Sequence, residues 1–164
     1  KSLAEVLAKG ASCFLAVESL QDPGNLGTML RAGEGAGLSA ILANRGTVDI
    51  YNPKVIRATM GSIFRIPVVY ADDWLAALRE LSANHVSLYA AALQASVPYD
   101  SIAYPEKTAF LIGNEAAGLT AETIAMADQS IHIPMLGQVE SLNAAVAASV
   151  LLYERARQRR RGTR

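Results

Sequence analysis

Short apolar runs alternate with longer helical patterns along this chain. Six runs have the composition of buried strands, namely residues 13–17, 40–43, 66–70, 86–91, 109–112 and 130–133. Helical patterns cover residues 26–36, 53–60, 72–83, 120–127 and 141–158, whereas the alanine-rich stretch 89–95 fits a strand or a helix. Apolar strands separated by helices predict an α/β domain with a mainly parallel sheet flanked by helices.

Polar residues near four of the predicted helix starts suggest how those helices are capped. Asn25 follows a turn at 22–24, Asp72 precedes the helix that carries Trp74, and Ser141 precedes the last helix. Thr120 opens a further helix after Gly118. Side chains of these types accept hydrogen bonds from the free amides of a first helical turn, so each is a predicted N-cap.

Length and composition limit the class of protein. A chain of 164 residues with 51% hydrophobic residues is predicted to form one domain with a full core. Its longest apolar stretch, 144–153, is shorter than the roughly 20 residues of a membrane span. Cys13 is the only cysteine, which excludes an internal disulfide and a cysteine-based metal cluster and favours the cytoplasm. The start at Lys1 suggests a trimmed end or a domain boundary.

The formal net charge is zero, yet the basic residues are concentrated at the C-terminus. The arginines of this segment are Arg155, Arg157, Arg159, Arg160, Arg161 and Arg164. Two interpretations stay open: a solvated helix end whose cations suit the helix dipole, or a tail that reinforces RNA binding.

Three loops after predicted strands have unusual chemistry, and such strand ends are where open α/β sheets bind ligands. The first, 18–27, leads into a helix that carries Arg31 among apolar neighbours. An arginine there needs an acidic partner or an anionic ligand, and both alternatives stay open.

The second loop, 113–118, begins and ends with glycine. It has neither a P-loop lysine nor the glycine spacing of a dinucleotide site, which disfavours phosphate binding. Asn114 and Glu115 could bond a nucleoside or orient an arginine, or Glu115 could simply be solvated. In the third loop, 134–143, Asn143 has no evident local role. Neither His85, in a predicted turn, nor His132, in a predicted strand, belongs to a catalytic motif.

Together these segments resemble the SpoU (TrmH) family of SPOUT-class RNA methyltransferases, over almost the whole chain. The first motif is Asn-Leu-Gly-Thr-Met-Leu-Arg-Ala at 25–32, and the second is Leu-Ile-Gly-Asn-Glu at 111–115 with Gly-Leu at 118–119. The third is Ile-Pro-Met at 133–135 with Ser-Leu-Asn at 141–143. The resemblance implies a C-terminal deep trefoil knot, a homodimer with shared active sites, and often a separate N-terminal RNA-binding domain that this chain could lack.

The resemblance also implies methylation of a ribose 2′-hydroxyl in structured RNA, with rRNA favoured over tRNA, no metal, and S-adenosyl-L-methionine as cofactor. The implied cofactor residues are Leu93, Gly113, Asn114, Gly118, Ile133, Met135, Ser141 and Leu142. The implied catalytic residues are Arg31, Asn25, Glu115, Ser141 and Asn143. Arg31 is either the base or an electrostatic stabiliser, and a guanidinium is a poor proton acceptor, which favours the second role.

Two rival functions remain at this point. One is a non-catalytic RNA-binding or ribosome-assembly protein that retains the fold. The other is a nucleotide-dependent oxidoreductase on an ordinary doubly wound sheet, which the missing glycine fingerprint disfavours.

Overall fold

A computed structural model describes residues 1–162. Its seven strands are β1 (Cys13–Val17), β2 (Ala40–Asn44), β3 (Val68–Ala71), β4 (Ser87–Ala91), β5 (Ser96–Pro98), β6 (Thr108–Ile112) and β7 (Gln129–His132). The helices are α1 (Leu3–Ala8), α2 (Pro23–Gly35), α3 (Pro53–Thr59), α4 (Trp74–Ala83), α5 (Ala121–Met126) and α6 (Ala144–Gly162). Two short 3₁₀ turns cover Ser62–Phe64 and Tyr99–Ser101.

The strands form one sheet in the order β3-β2-β1-β6-β4-β7-β5, and every strand pair is parallel. The predicted mainly parallel α/β sheet is therefore confirmed. All six predicted strands form, with ends shifted by at most two residues. In the stretch 89–95, the first three residues complete β4 and the remainder is a turn.

Helices cover both faces of the sheet. Cys13, Leu15 and Val17 of β1 point into a core packed by α2 and α6, whereas Phe14 and Ala16 point into a second core packed by α1 and α4. Because successive side chains of a strand face opposite ways, a strand buried on both sides must be apolar throughout. This explains why β1 is a fully buried apolar run and why β6 is one after Thr108, whose buried hydroxyl donates to the Pro105 carbonyl oxygen.

Two elements were not predicted from the sequence. Helix α1 begins with a capping box in which Ser2 and Glu5 bond each other's main chain. Strand β5 has only three residues, ends in Pro98 and pairs with β7 at the edge of the sheet. Both elements are shorter than the windows in which hydrophobic periodicity can be read.

Three of the four predicted N-caps were wrong. Asp22 caps α2 by accepting from the Gly24 amide, and Asn25 lies inside that helix. Asp73 caps α4 instead of Asp72, which pairs with Arg45 at 2.8 Å. The N-cap of α6 is Asn143 instead of the predicted Ser141. The fourth prediction is confirmed, because the Thr120 side chain accepts from the Thr123 amide.

The arginine-rich segment through Arg161 belongs to α6. Neither interpretation of the segment applies to Arg155, which is buried and donates to the Glu106 carbonyl oxygen. Arg157 pairs with Glu154, whereas Arg164 lies outside the described residues. Among residues 1–162, no helix is long and apolar enough to cross a membrane.

Candidate active site

The carboxylate of Glu115 joins the second motif loop to the first. It accepts hydrogen bonds from the amides of Gln21 at 2.9 Å and Asp22 at 2.7 Å, and from Asn25 Nδ2 at 3.1 Å. The loops meet because β1 and β6, which precede them, are neighbouring parallel strands. Glu115 is therefore not merely solvated. Its side-chain partner is Asn25 rather than Arg31.

Asn25 extends the same chain of bonds to the third motif. Its Oδ1 accepts from Asn143 Nδ2 at 3.0 Å, and its Nδ2 donates to Glu115. These two bonds fix the orientation of the buried Asn25 amide. One residue from each motif thus lies in a continuous Glu115–Asn25–Asn143 network.

Asn143 also begins α6. Its Oδ1 accepts from the amides of Ala145 at 2.9 Å and Val146 at 3.2 Å, and its main-chain oxygen accepts the first helical bond, from Ala147. The prediction that Ser141 caps this helix was wrong, because the chain is still extended there and the helix starts at Ala144.

We expect Asn143→Ala to lower the free energy of unfolding by about 1 kcal/mol, the usual effect of losing an N-cap. Ser141→Ala is the matched control and should change it by less than about 0.5 kcal/mol, because the Ser141 hydroxyl makes no hydrogen bond within residues 1–162. Urea denaturation of both variants measures the difference. Equal destabilisation by the two substitutions would contradict the assignment.

Asn114 holds the second loop in a tight shape. Its Nδ2 donates to the Ser19 carbonyl at 2.8 Å, and its Oδ1 accepts from the amides of Ala116 and Ala117, both at 2.9 Å. Its main chain is paired with that of Gly118, which has a φ of 70°. Gly113 lies against that turn so closely that an added Cβ would be 2.2 Å from the Gly118 carbonyl carbon.

Burial raises the pKa of Glu115, but the hydrogen bonds from Gln21, Asp22 and Asn25 lower it by more, so the net shift is downward. A carboxylate with a lower pKa in the folded than in the unfolded chain stabilises the fold at neutral pH. That contribution disappears as the pH falls through the folded-state pKa.

We therefore expect wild type to lose its stability advantage over Glu115→Gln as the pH falls from about 7 to about 3. Thermal unfolding across this range measures the change. Glu122→Gln is the control, since Glu122 is exposed on α5 and accepts no side-chain hydrogen bond in the described chain. An advantage that stays constant with pH would refute this account of Glu115.

Arg31 is placed differently from what we expected. It lies on the exposed side of α2, and its guanidinium makes no hydrogen bond or ion pair with residues 1–162. The acidic Glu34 nearby is occupied by Arg65 and Ser62. The sequence left two alternatives for Arg31, an acidic partner or an anionic ligand. No acidic partner occurs among residues 1–162, so the anionic ligand is the alternative that remains.

Segment 133–142 contains the other predicted cofactor residues and has no regular secondary structure. Within the described chain its main chain makes no hydrogen bonds, so its amides and carbonyls are available to a ligand.

Leu93, in the turn after β4, is mostly exposed. Its carbonyl oxygen accepts a hydrogen bond from Ser96 Oγ, and the same hydroxyl contacts His132 Nδ1. His132 is thus hydrogen-bonded, and His85 lies in an exposed turn, as predicted.

A second polar cluster was missed in the sequence. Glu18 is only 5% exposed and accepts from the Thr120 amide and from the hydroxyls of Thr120 and Thr123. Trp74 Nε1 donates to Thr123 Oγ1 at 2.9 Å. The cluster joins the end of β1 to the start of α5, directly after the second motif loop. In the sequence, the one signal for this cluster was the position of the acidic Glu18 between an apolar strand and a loop.

Lys54 was also missed. Together with Asn114, Glu115 and the 21–24 turn, it lines an open cleft of about 780 Å³. No group of three His, Cys, Asp or Glu side chains that could hold a metal ion occurs in residues 1–162.

Comparisons with known proteins find a matching family model and several similar proteins. The model of the SpoU rRNA Methylase family matches residues 12–153. The chain is 44% identical over 145 residues to the Bacillus subtilis 23S rRNA (guanosine(2553)-2′-O)-methyltransferase RlmP, covering 85% of this chain and 56% of that protein. It is 36% identical over 152 residues to the 23S rRNA (guanosine-2′-O-)-methyltransferase RlmB of Xanthomonas axonopodis, covering 93% and 61%.

Among solved structures, the chain is similar to the SpoU methyltransferase AviRb from Streptomyces viridochromogenes in complex with AdoMet. The TM-score is 0.90 at 28% identity, covering 98% of this chain and 66% of that one. The chain thus spans little more than half the length of the curated relatives it matches.

Proposed function

Because this chain belongs to the SpoU rRNA methylase family, we propose that it transfers a methyl group from S-adenosyl-L-methionine to a ribose 2′-hydroxyl of RNA. Ribosomal RNA is favoured as the substrate because the relatives RlmP and RlmB are named as 23S rRNA methyltransferases. The observation that carries the proposal is the Glu115–Asn25–Asn143 network, which brings one residue of each motif together.

The residues present fit such a cofactor. Segment 133–142, which follows β7, offers unbonded amides and carbonyls. The 113–118 turn, which follows β6, offers glycine main chain, and only β4 lies between these two strands in the sheet. We assign the pocket to Leu93, Gly113, Asn114, Gly118, Ile133, Met135, Ser141 and Leu142. When bound, S-adenosylmethionine would supply the methyl group: its sulfonium carbon–sulfur bond would break as the carbon–oxygen bond to the ribose forms, leaving S-adenosylhomocysteine, and the proton of the 2′-hydroxyl would pass to solvent water.

Glu115 is a poor proton acceptor in this reaction. Its carboxylate already accepts three hydrogen bonds, and its pKa is lowered. A general base at neutral pH needs a raised pKa and a free lone pair towards the substrate. We therefore assign Glu115 as a positioning residue that holds Asn25, which leaves one Nδ2 hydrogen and one Oδ1 lone pair of that amide for the ribose.

Arg31 supplies positive charge instead of acting as the base. An exposed guanidinium with no acidic partner among residues 1–162 can bind the phosphate beside the target ribose and stabilise the oxygen that becomes negative. A guanidinium has five N–H donors and no acceptor, so it can stabilise negative charge but is not suited to take the hydroxyl proton.

A C-terminal trefoil knot also belongs to the proposal. β7 lies between β4 and β5, yet α6, which follows it, packs against α2 and β6. Segment 133–143 must therefore cross back over the sheet to connect β7 with α6. A knot in which the chain is threaded through an earlier loop requires such a crossing. Threaded connections are rare in proteins.

We further propose that the chain acts as a homodimer. Leu136 is fully exposed, and Val139, Val146 and Tyr153 are about half exposed or more. Val146 and Tyr153 are two turns apart on α6 and form an apolar strip beside the cofactor segment.

Two further expectations belong to the proposal. The relatives' greater length leaves room for a separate RNA-binding domain. A buried free Cys13 fits the expected cytoplasmic location.

Calorimetric titration of the purified chain with S-adenosylmethionine and S-adenosylhomocysteine tests the proposal. We expect saturable binding of one molecule per protomer, and the same binding by Arg31→Ala, because that side chain faces the RNA rather than the cofactor. A folded chain that binds neither compound would favour the non-catalytic RNA-binding alternative.

A further inference from the structure

An exposed surface beside the site is not used by the mechanism above. We call it the α3 surface and define it as the side chains of Tyr51, Lys54, Arg57, Met60 and Phe64. Phe64 is 87% exposed, Tyr51 72% and Met60 68%, and none of the three joins either core. Two exposed aromatic rings and a methionine within 14 residues indicate a binding surface rather than scattered apolar residues.

The α3 surface is positively charged. Residues 45–65 contain four basic residues and one acidic residue, in a chain whose net charge is zero. Arg45 and Arg65 pair with Asp72 and Glu34, but Lys54 and Arg57 have no acidic partner among residues 1–162. These two cations are three residues apart on α3 and are therefore neighbours on one side of that helix.

The surface is continuous with the candidate active site. Lys54 lines the same cleft as Glu115. Helices α2 and α3 are so close that a Cβ on Gly27 would be 2.3 Å from Ala58 Cβ. Arg31 is one turn after Gly27 and one turn before Glu34, which bonds Ser62 of the 3₁₀ turn. Arg31 therefore borders the α3 surface.

We propose that the α3 surface binds unpaired nucleotides next to the methylated one, an inference that rests on the proposed function. Bases stack on the rings of Phe64 and Tyr51, and phosphates contact Lys54 and Arg57, the combination that proteins use for single-stranded nucleic acid. A second copy meeting this surface by the same face would bring like charges together, so the charges favour a polyanion.

Phe64→Leu and Phe64→Trp form a matched pair, because both keep an apolar side chain and only the second keeps a ring face. The probe is a fluorescein-labelled RNA hairpin with about ten unpaired loop nucleotides, and its affinity is measured by anisotropy. We expect about tenfold weaker binding by Phe64→Leu and wild-type binding by Phe64→Trp. Arg57→Ala should weaken binding and lower the salt slope by about one, whereas Arg79→Ala, exposed on α4 across the sheet, should not.

Three results would contradict the proposed binding of nucleotides by the α3 surface. Equal affinity of wild type and Phe64→Leu, or no saturable binding of the hairpin by wild type, overturns the proposal. A Phe64→Leu variant that changes from dimer to monomer in light scattering also overturns it and assigns the surface to a second copy. Cofactor binding by calorimetry should be unchanged in every variant. Its absence in wild type would be a failure of the proposed function itself.

Discussion

Arg31→Ala is expected to lower kcat for methyl transfer to RNA by about 10²–10³-fold while leaving cofactor affinity unchanged. The size is that of removing one preorganised donor from a developing oxyanion. The structure supports this because the guanidinium has no protein partner within residues 1–162 and is therefore available to the substrate. Transfer of tritiated methyl groups to rRNA measures the rate, and calorimetry measures the cofactor affinity.

Arg31→Lys separates a fork-shaped cation from a point charge. A lysine keeps the charge but cannot bind a phosphate through two parallel donors, so we expect at least tenfold slower turnover. Near-normal turnover of this variant would refute the role assigned to Arg31. Arg79→Ala is the control, because it removes an exposed cation on the opposite face of the sheet.

Gly113→Ala should destabilise the protein by about 3 kcal/mol and weaken cofactor binding. A Cβ there would be 2.2 Å from the carbonyl carbon of Gly118, 2.5 Å from its oxygen and 2.3 Å from the Leu119 nitrogen. All three atoms are main chain, so the turn built around Asn114 has to open rather than a side chain rotating away. Overpacking of this kind costs about 1–3 kcal/mol and sometimes more.

Urea denaturation of Gly113→Ala gives the change in stability, and titration with S-adenosylhomocysteine gives the change in affinity. Gly137→Ala is the matched control for stability, because no atom lies within 4 Å of the position its Cβ would take. If Gly113→Ala were as stable as wild type, the close packing of the 113–118 turn would be wrong.

The strands were predictable because their burial is recorded locally. β1 and β6 are buried on both faces, which requires five consecutive small or apolar residues in each and makes them easy to recognise. β5 escaped prediction because its three residues are held only by β7, more than 30 residues further along the chain.

The N-caps show a second limit. Near the starts of α2 and α6, more than one residue has a side chain that can cap a helix. Asn25 and Ser141 were predicted, whereas Asp22 and Asn143 are the caps. Asn25 looks like a cap from its neighbours, yet its amide serves Glu115, 90 residues away, while Asp22 caps the helix. Local chemistry names the residue types that can cap and leaves open which of them are required elsewhere.

The sequence by itself determined the α/β class, the strands other than β5 and the three motif loops at one edge of the sheet, because hydrophobic periodicity and helix signals act over a few neighbouring residues. Only the tertiary structure decided that Glu115 bonds Asn25 instead of Arg31, that Asn143 completes the network, and that Glu18 is buried against α5. Those bonds join residues 90 to 118 positions apart. Such pairings depend on the order of strands in the sheet and on the path of the chain between them, which no local pattern encodes.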